Sequence, residues 1–172
     1  KAADGEKFTT LDEQERELDS ESLVIADTEK AVALAGVMGG FNTEIKDDTT
    51  DILIESAYFN PQNIRRTSKK LDLRTDSSYR FERGCDPNIC ELASQRAAQL
   101  IIQTAGGELA DGVVDAYPTP IAAKEVSLRF AKTNALLGIE IPAATQVEFL
   151  TKLELELITK DESTASFRAP TF

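Results

Sequence analysis

A chain of 172 residues with a net charge of −11 is long enough for one ordinary domain, or for one domain and part of another. Apolar residues make up 41% and charged residues 28%, which is the composition of a soluble globular protein. An acidic surface repels phosphate, so the overall charge argues against nonspecific binding of nucleic acid. The longest uncharged run, residues 31–43, is too short to span a bilayer, and no apolar signal segment opens the chain. These features predict a cytoplasmic protein with no membrane partner.

Histidine is absent, and cysteine occurs only at Cys85 and Cys90. Without an imidazole the chain cannot build a Ser-His-Asp or Cys-His site, so proton transfer must fall to carboxylates, Lys, Tyr, Cys or the substrate. The two cysteines lack the C-x-x-C spacing of a zinc ligand pair, and we expect no metal site. We expect both cysteines to be thiols, because cytoplasmic proteins rarely keep disulfides.

Positive charge is concentrated between Ile64 and Arg83. This segment has seven bases and three acids, so it carries +4 while the remaining residues carry −15. The bases are Arg65, Arg66, Lys69, Lys70, Arg74, Arg80 and Arg83. Such a run is usually a solvated helix face with local ion pairs, and this is our first interpretation.

The beginning of the chain predicts short strands and then a glycine-rich turn. Residues 6–11 and 22–27 are separated by polar turns and are followed by residues 31–37, a pattern that is typical of short strands. The sequence GVMGGFNTE follows at residues 36–44, and its three glycines indicate either positive φ or a close approach of the backbone to another group. No Lys-Ser/Thr pair follows the glycines, so this is not a phosphate-binding Walker loop. A simple tight turn is the alternative.

Residues 49–59, TTDILIESAYF, predict a strand covered on both sides, because both alternating faces are largely apolar. Glu55 lies in the middle of one of these faces. An unpaired buried carboxylate is costly, so this residue should be paired, protonated or directed into a cleft. Pairing with Arg80 or Arg83 is the structural alternative to a functional role.

Residues 60–71 predict a short basic helix, with Asn60 as its N-cap and Pro61 in its first turn. The segment after it is expected to return to the sheet as a strand. A strand, a helix and a second strand within roughly 30 residues are typical of a βαβ crossover. Such a crossover would place residues 75–81 near Glu55.

Residues 85–107 predict the clearest helix, with Asp86 as cap, Pro87 in the first turn and two glycines at the end. We interpret its aliphatic stripe as part of the core rather than as a ligand site. The stripe consists of Ile89, Ala93, Ala97, Leu100, Ile101 and Thr104.

A boundary is predicted at residues 115–125, where two prolines occur. A strand at residues 126–130, two helices and a hairpin around KDEST follow, in the β-α-α-β-β order of a small winged-helix-like module. The sequence therefore predicts an α+β fold. A mixed sheet with packed helices would form the domain at residues 1–117, and residues 118–172 would form part of the winged-helix-like module.

Five sequence blocks, in order, carry a family resemblance. They are LVIAD, ALAGVMGG, ILIESAYFNP, TDSSYRFERGCDP and AAQLIIQTAGGE. The set resembles the editing, or tRNA-binding, domain (B3/B4 type) of the bacterial phenylalanyl-tRNA synthetase β-subunit family, over residues 1–117. Residues 118–172 are similar to the start of the module that follows that domain. The blocks are specific in combination, and no single block would carry the resemblance.

The resemblance implies a function in translation. In this family the editing domain hydrolyses tyrosine that has been wrongly attached to tRNA(Phe). The α subunit attaches phenylalanine to tRNA(Phe) with ATP and magnesium, in a heterotetramer of two α and two β subunits. The resemblance implies no cofactor in the region present here, whose partners would be tRNA(Phe) and the α subunit.

The resemblance also implies an editing pocket. At the position of Glu55 the family uses a carboxylate to recognise the tyrosine phenol, and its pocket also includes the positions of Gly39, Thr75 and a small residue at Ser77. No side chain is an obvious nucleophile. We expect a water molecule held by backbone groups and Thr75, with the terminal hydroxyl of the tRNA assisting.

Two departures from the family pattern bear on this expectation. The family often has alanine at the position of Ser77 and histidine at that of Tyr79, and a further histidine of its site would precede Lys1. A noncatalytic tRNA-binding or subunit-assembly module that has lost editing is therefore an alternative function. A generic α+β ligand-binding domain is a third hypothesis, which leaves the five ordered blocks as coincidence.

Overall fold

The computed structural model describes residues 1–172 and divides them into two compact units, Lys1–Leu109 and Ala110–Phe172. Both units combine antiparallel sheets with helices, which confirms the predicted α+β fold class. The units divide between Leu109 and Ala110, upstream of the boundary predicted at residue 117. Both positions lie within residues 106–124, which form no helix or strand. None of the helices has both the length and the apolar composition needed to cross a membrane.

Short antiparallel strands open the first unit. They are β1 (Lys7–Thr9), β2 (Glu15–Glu17), β3 (Val24–Ala26), β4 (Ala31–Leu34) and β5 (Met38–Gly39). The first two strands form a two-stranded sheet, and the other three form a second sheet in the order β3-β4-β5. Strands β1, β3 and β4 lie inside the three predicted runs, which confirms those predictions, whereas β2 was not predicted.

The core of the first unit lies between these strands and the helix that follows them. Its buried apolar side chains are Ala2, Phe8, Leu18, Ala31, Leu34, Val37, Ile64 and Leu73. Gly36 has a φ of +65°, and a Cβ atom at this position would lie 2.9 Å from Cδ2 of Phe59 and 3.0 Å from Cδ1 of Ile64. The turn therefore needs glycine both for its backbone conformation and for its packing.

The predicted strand at residues 49–59 is wrong, because these residues form neither strand nor helix. Leu53 is 97% exposed and Ile52 is 48% exposed, so the first part of the segment is not covered, whereas residues 56–59 are half-buried. An extended segment becomes a strand only when a neighbouring strand exchanges backbone hydrogen bonds with it. In this unit the strands pair within their two small sheets, and residues 49–59 join neither of them.

The predicted return strand at residues 75–81 is also wrong. The chain forms helix α1 at Pro61–Lys70 and then a second helix, α2, at Asp76–Phe81. Local capping explains the difference, since Thr75 and Ser78 form a reciprocal capping box that begins a helix. The predicted βαβ crossover is therefore absent, and side chains two residues apart here do not share one face of a strand.

The predicted helices α1 and α3 (Cys90–Ala105) are confirmed. Asn60 caps α1 by accepting from the backbone N–H groups of its first turn. Asp86 caps a short 3-10 turn at Pro87–Ile89 that leads into α3, and the helix ends at a glycine. The predicted core stripe of α3 is wrong, however, because only Ala98 is buried in this helix.

The second unit has the predicted β-α-α-β-β order. Its elements are β6 (Glu125–Arg129), α4 (Phe130–Leu137), α5 (Ala143–Lys152), β7 (Glu156–Lys160) and β8 (Thr164–Arg168). The three strands form an antiparallel sheet in the order β6-β8-β7. Phe130, Ala165 and Phe167 form its buried core.

Candidate functional site

A side-chain hydrogen bond joins the glycine turn to the start of α2. The Oγ1 hydroxyl of Thr75 donates to the carbonyl of Val37, with an O···O distance of 2.7 Å. The same oxygen accepts from the backbone N–H of Ser78 at 3.0 Å, and the Ser78 hydroxyl accepts from the backbone N–H of Thr75 at 2.9 Å. Thr75 therefore has its only hydroxyl hydrogen engaged and fixes the helix to the turn.

The glycine turn packs closely at Gly39 and more closely at Gly40. A Cβ atom at Gly39 would lie 3.0 Å from Cδ1 of Leu11, a flexible and exposed side chain that can move. At Gly40 it would lie 2.6 Å from the carbonyl oxygen of Val32, which cannot move without disturbing β4. Gly40 is not among the predicted site residues, although the Gly-Gly pair is the sequence signal for such close packing.

Ser77 is the second residue of α2, is half-buried and forms no side-chain hydrogen bond. The buried serine of this helix is Ser78, which is 2% exposed and donates to the Thr75 carbonyl at 3.1 Å. Ser78 was missed in the sequence analysis. Its position three residues after a threonine was the signal, because that spacing is typical of a capping box.

Glu55 lies in the irregular segment before α1 and is exposed. Its carboxylate forms no hydrogen bond or ion pair, and partial removal of water raises the pKa of this carboxyl above the ordinary glutamate value. The proposed pairing with Arg80 or Arg83 is wrong. Arg80 has no carboxylate partner, while Arg83 pairs with Glu82 at 2.8 Å.

Aromatic packing connects the Glu55 segment with α2. The ring of Phe59, four residues after Glu55, meets the ring of Phe81 edge to face, with 5.1 Å between centroids. Phe59 also packs against Gly36 in the glycine turn. The structure thus brings the glycine turn, Thr75 and Ser77 together and attaches the segment carrying Glu55 at its end, but no hydrogen bond joins Glu55 to the other predicted site residues.

The cluster offers few reactive groups. Burial raises the pKa of the Cys85 thiol, which keeps it protonated and a poor nucleophile near neutral pH. No disulfide joins Cys85 and Cys90. No group of three or more Cys, Asp or Glu side chains is arranged to hold a metal ion. A carboxylate without a partner is the main functional group that remains available.

A separate open groove with a volume of about 340 Å³ lies beside β1. Phe8, Lys30 and Phe41 contribute to its lining, and none of the four predicted pocket residues does. The groove therefore does not coincide with the candidate site.

Comparison with known proteins gives one family match. The family model described as B3/4 domain matches residues 1–106. The chain is 49% identical over 172 residues to the phenylalanine–tRNA ligase beta subunit of Geobacter sulfurreducens, covering 100% of this chain and 22% of that protein. The same subunit of Geobacter metallireducens is 52% identical over 157 residues, which is 91% of this chain and 20% of the relative. That of Clostridium acetobutylicum is 44% identical over 172 residues, again 100% of this chain and 22% of the relative. The chain thus spans about a fifth of the length of these curated relatives.

Proposed function

The chain belongs to the B3/4 domain family, and we propose that it is the part of a phenylalanine–tRNA ligase beta subunit that removes tyrosine wrongly attached to tRNA(Phe). The relatives similar to this chain are beta subunits of that ligase. In the whole enzyme, a heterotetramer of two alpha and two beta subunits in the cytoplasm, other regions would attach phenylalanine with ATP and magnesium. This region would need no cofactor of its own.

The unpartnered carboxylate of Glu55 is the observation that carries the proposal. It has lost part of its hydration without gaining a hydrogen bond or a counterion. Because the side chain is exposed, water can still reach the carboxylate, and a ligand donor that replaces this water would give it a direct hydrogen bond. A phenol O–H is a suitable donor for it.

The discrimination problem explains why a carboxylate is useful. Tyrosine and phenylalanine differ by one hydroxyl group, and an editing site must accept the larger amino acid and reject the smaller one. A site built to hydrogen-bond a hydroxyl can reject the analogue that lacks it by roughly 10⁴- to 10⁵-fold, because the buried polar group would otherwise stay unpaired. We assign this role to Glu55.

The remaining site residues would shape the pocket around the aromatic ring. Gly39 belongs to a turn with little space for side chains, and Ser77 is small and half-buried at the start of α2. Thr75 has used its hydrogen on Val37, so it can contribute to a bound water only as an acceptor. We propose that backbone groups complete the binding of this water and that the terminal hydroxyl of the tRNA assists its attack on the ester.

Deacylation of preformed Tyr-tRNA(Phe) by the assembled two-subunit enzyme tests the proposal. Glu55→Ala should slow this reaction by about 10- to 150-fold, since a hydrogen bond to a charged group contributes roughly 1.5–3 kcal/mol. Charging with phenylalanine should stay near normal.

Ser77→Trp should also block deacylation by filling the pocket, whereas Ser77→Ala should not.

Glu44→Ala is the matched control, because Glu44 is also an exposed glutamate without an ion pair in the same unit. Equal loss of charging and deacylation in Glu55→Ala would indicate a role in folding instead. No deacylation by the unaltered enzyme would favour the alternative of a noncatalytic tRNA-binding or assembly module.

A further inference from the structure

Helix α1 has four bases on its exposed surface, and the structure divides them into two pairs. Arg66 and Lys70 are four residues apart and face the loop before β3. Arg66 pairs with Glu21 at 3.4 Å, and Lys70 forms an ion pair with Asp19. These two bases therefore have a structural role, which is the role that the sequence predicts for the whole run.

The other two bases of α1, Arg65 and Lys69, are also one helical turn apart, and neither forms an ion pair. Arg74, just before α2, and Arg80, in its last turn, are likewise exposed and without a carboxylate partner. The unpaired basic surface is defined here as Arg65 and Lys69 on α1; Arg74 and Arg80 lie just before and within α2, the helix that packs against α1. Ordinary ion pairing within the chain does not explain it, although acids outnumber bases by 30 to 19.

Stabilisation of the helix explains only part of the pattern. A base in the last turn interacts favourably with the helix dipole, which accounts for Lys69. Arg65 lies in the middle of α1, where that effect has faded, and Arg74 lies outside any helix. A further reason is needed for these unpaired charges.

We propose that the unpaired basic surface binds the phosphate backbone of RNA. Arg65 and Lys69 are about 6 Å apart along the helix axis, and their long side chains can reach neighbouring phosphates of one strand. Arg65 has a planar guanidinium group, which can bind phosphate oxygens through two parallel hydrogen bonds.

A protein partner fits this surface less well. Specific protein interfaces have a desolvated centre of aromatic or aliphatic side chains. The exposed residues of α1 are polar or basic, and its one large apolar side chain, Ile64, is fully buried. The surface therefore has the charge for a polyanion and lacks the apolar anchors for a protein. The identification of this RNA as tRNA(Phe) rests on the proposed function.

The test is salt-dependent binding of uncharged tRNA(Phe) to the assembled enzyme, between about 50 and 200 mM salt. The double substitution Arg65→Gln and Lys69→Gln should weaken binding and lower the slope of log affinity against log salt by about 0.7–0.9 for each lost phosphate contact. In deacylation of Tyr-tRNA(Phe) the same variant should raise KM and leave kcat unchanged.

Three control variants separate phosphate contact from general charge and from folding. Lys46→Gln removes an exposed, unpaired base elsewhere in the same unit and should leave the slope unchanged. The double substitution Arg66→Gln and Lys70→Gln breaks two ion pairs, so it should lower the denaturation midpoint without changing the slope. The exchange Arg65→Lys with Lys69→Arg should keep the parent slope.

An unchanged slope in the Arg65→Gln, Lys69→Gln variant would overturn the proposal, and so would an equal change in the Arg66→Gln, Lys70→Gln variant. The binding measurement needs no hydrolysis. If the enzyme does not deacylate Tyr-tRNA(Phe) at all, the proposed function fails while the slope still decides whether this surface binds RNA.

Discussion

At the scale of single residues, the two polar side chains Thr75 and Glu55 differ in their hydrogen bonding. Thr75 has both its donor and an acceptor position engaged, with Val37 and Ser78. Glu55 has none of its oxygens engaged. A fully bonded side chain stabilises the local fold, whereas an unbonded one costs stability and remains available to a ligand. Thr75 should therefore matter first for folding, and Glu55 first for binding.

Thr75→Val should destabilise the chain by about 1–2 kcal/mol, because it removes the N-cap of α2 and the bond to Val37 while keeping the shape of the side chain. Thr75→Ser keeps the hydroxyl and is the matched control. Urea denaturation of both variants checks this. Equal midpoints for the valine and serine variants would show that the hydroxyl is not needed for stability.

Glu55→Gln should make the chain more stable at neutral pH. Because the folded-state pKa of this carboxyl is raised above the ordinary glutamate value, the folded chain binds its proton more tightly than the unfolded chain does. Stability therefore falls as pH rises through this region, and the ionised residue is a cost above it. The gain from glutamine should disappear at pH values well below 4.5, where the carboxyl is protonated in both states.

Urea midpoints of the parent and Glu55→Gln chains at neutral and acidic pH measure this difference. A glutamine variant that is less stable at neutral pH would mean that Glu55 has a stabilising partner in solution. In that case the proposed role in ligand recognition would lose its physical basis.

At the scale of elements, the sequence predicted those whose signals are local. Helix α1 and the 3-10 turn that leads into α3 each begin at a capping residue followed by proline, and both helices are predicted from these few positions. The segment at residues 49–59 was misassigned because alternation shows which side chains could share a face, not whether a second strand is available to pair. Helix α2 was not predicted, because its capping box pairs Thr75 with Ser78 within a segment whose aromatic and charged residues were interpreted as a strand.

The roles of the site residues remain a prediction, and what the sequence lacks is the long-range contact that arranges them. Gly39, Thr75 and Ser77 lie in or beside one cluster. The sequence indicates these residues only through the family resemblance of the five segments. The contact that organises the cluster joins Thr75 to Val37, residues 38 positions apart in the chain. No local pattern specifies such a contact, because it depends on how the turn and the helix pack.

The two serines of α2 should respond differently to substitution by alanine. Ser78→Ala should cost about 1–2 kcal/mol, since it removes a buried hydroxyl that bonds the backbone of Thr75. Ser77→Ala should change stability by less than about 0.5 kcal/mol, because its hydroxyl has no partner. Chemical denaturation compares them directly. A larger effect at Ser77 would contradict the helical assignment of these residues.

At the scale of the whole molecule, the pH dependence of stability should be set by carboxylates that the fold holds ionised. An ion pair with Lys70 and a hydrogen bond from Ser22 lower the pKa of Asp19 in the first unit. In the second unit, hydrogen bonds from Ser163 and Thr164 lower the pKa of Asp161 to about 2. Both groups release their protons more readily in the folded chain than in the unfolded one. Each therefore contributes stability above the ordinary aspartate pKa, and this contribution is lost in acid.

Asp161→Ala gives the sharpest test of this acid dependence. The carboxylate accepts from the backbone N–H groups of Ser163 and Thr164, both at 2.7 Å, and so holds the turn between β7 and β8. Its contribution should be complete above pH 3.8 and should decline as pH falls towards about 2. The alanine variant should therefore be less stable than the parent at neutral pH, and the difference between them should shrink on acidification.

Asp111→Ala is the control, because it removes an exposed aspartate of the same unit that has no ion pair, and it should lower stability less at neutral pH. Denaturant midpoints measured from neutral pH down to about pH 2 follow both differences. A deficit in Asp161→Ala that stays constant with pH would show that the residue stabilises the hairpin by its shape rather than by its charge.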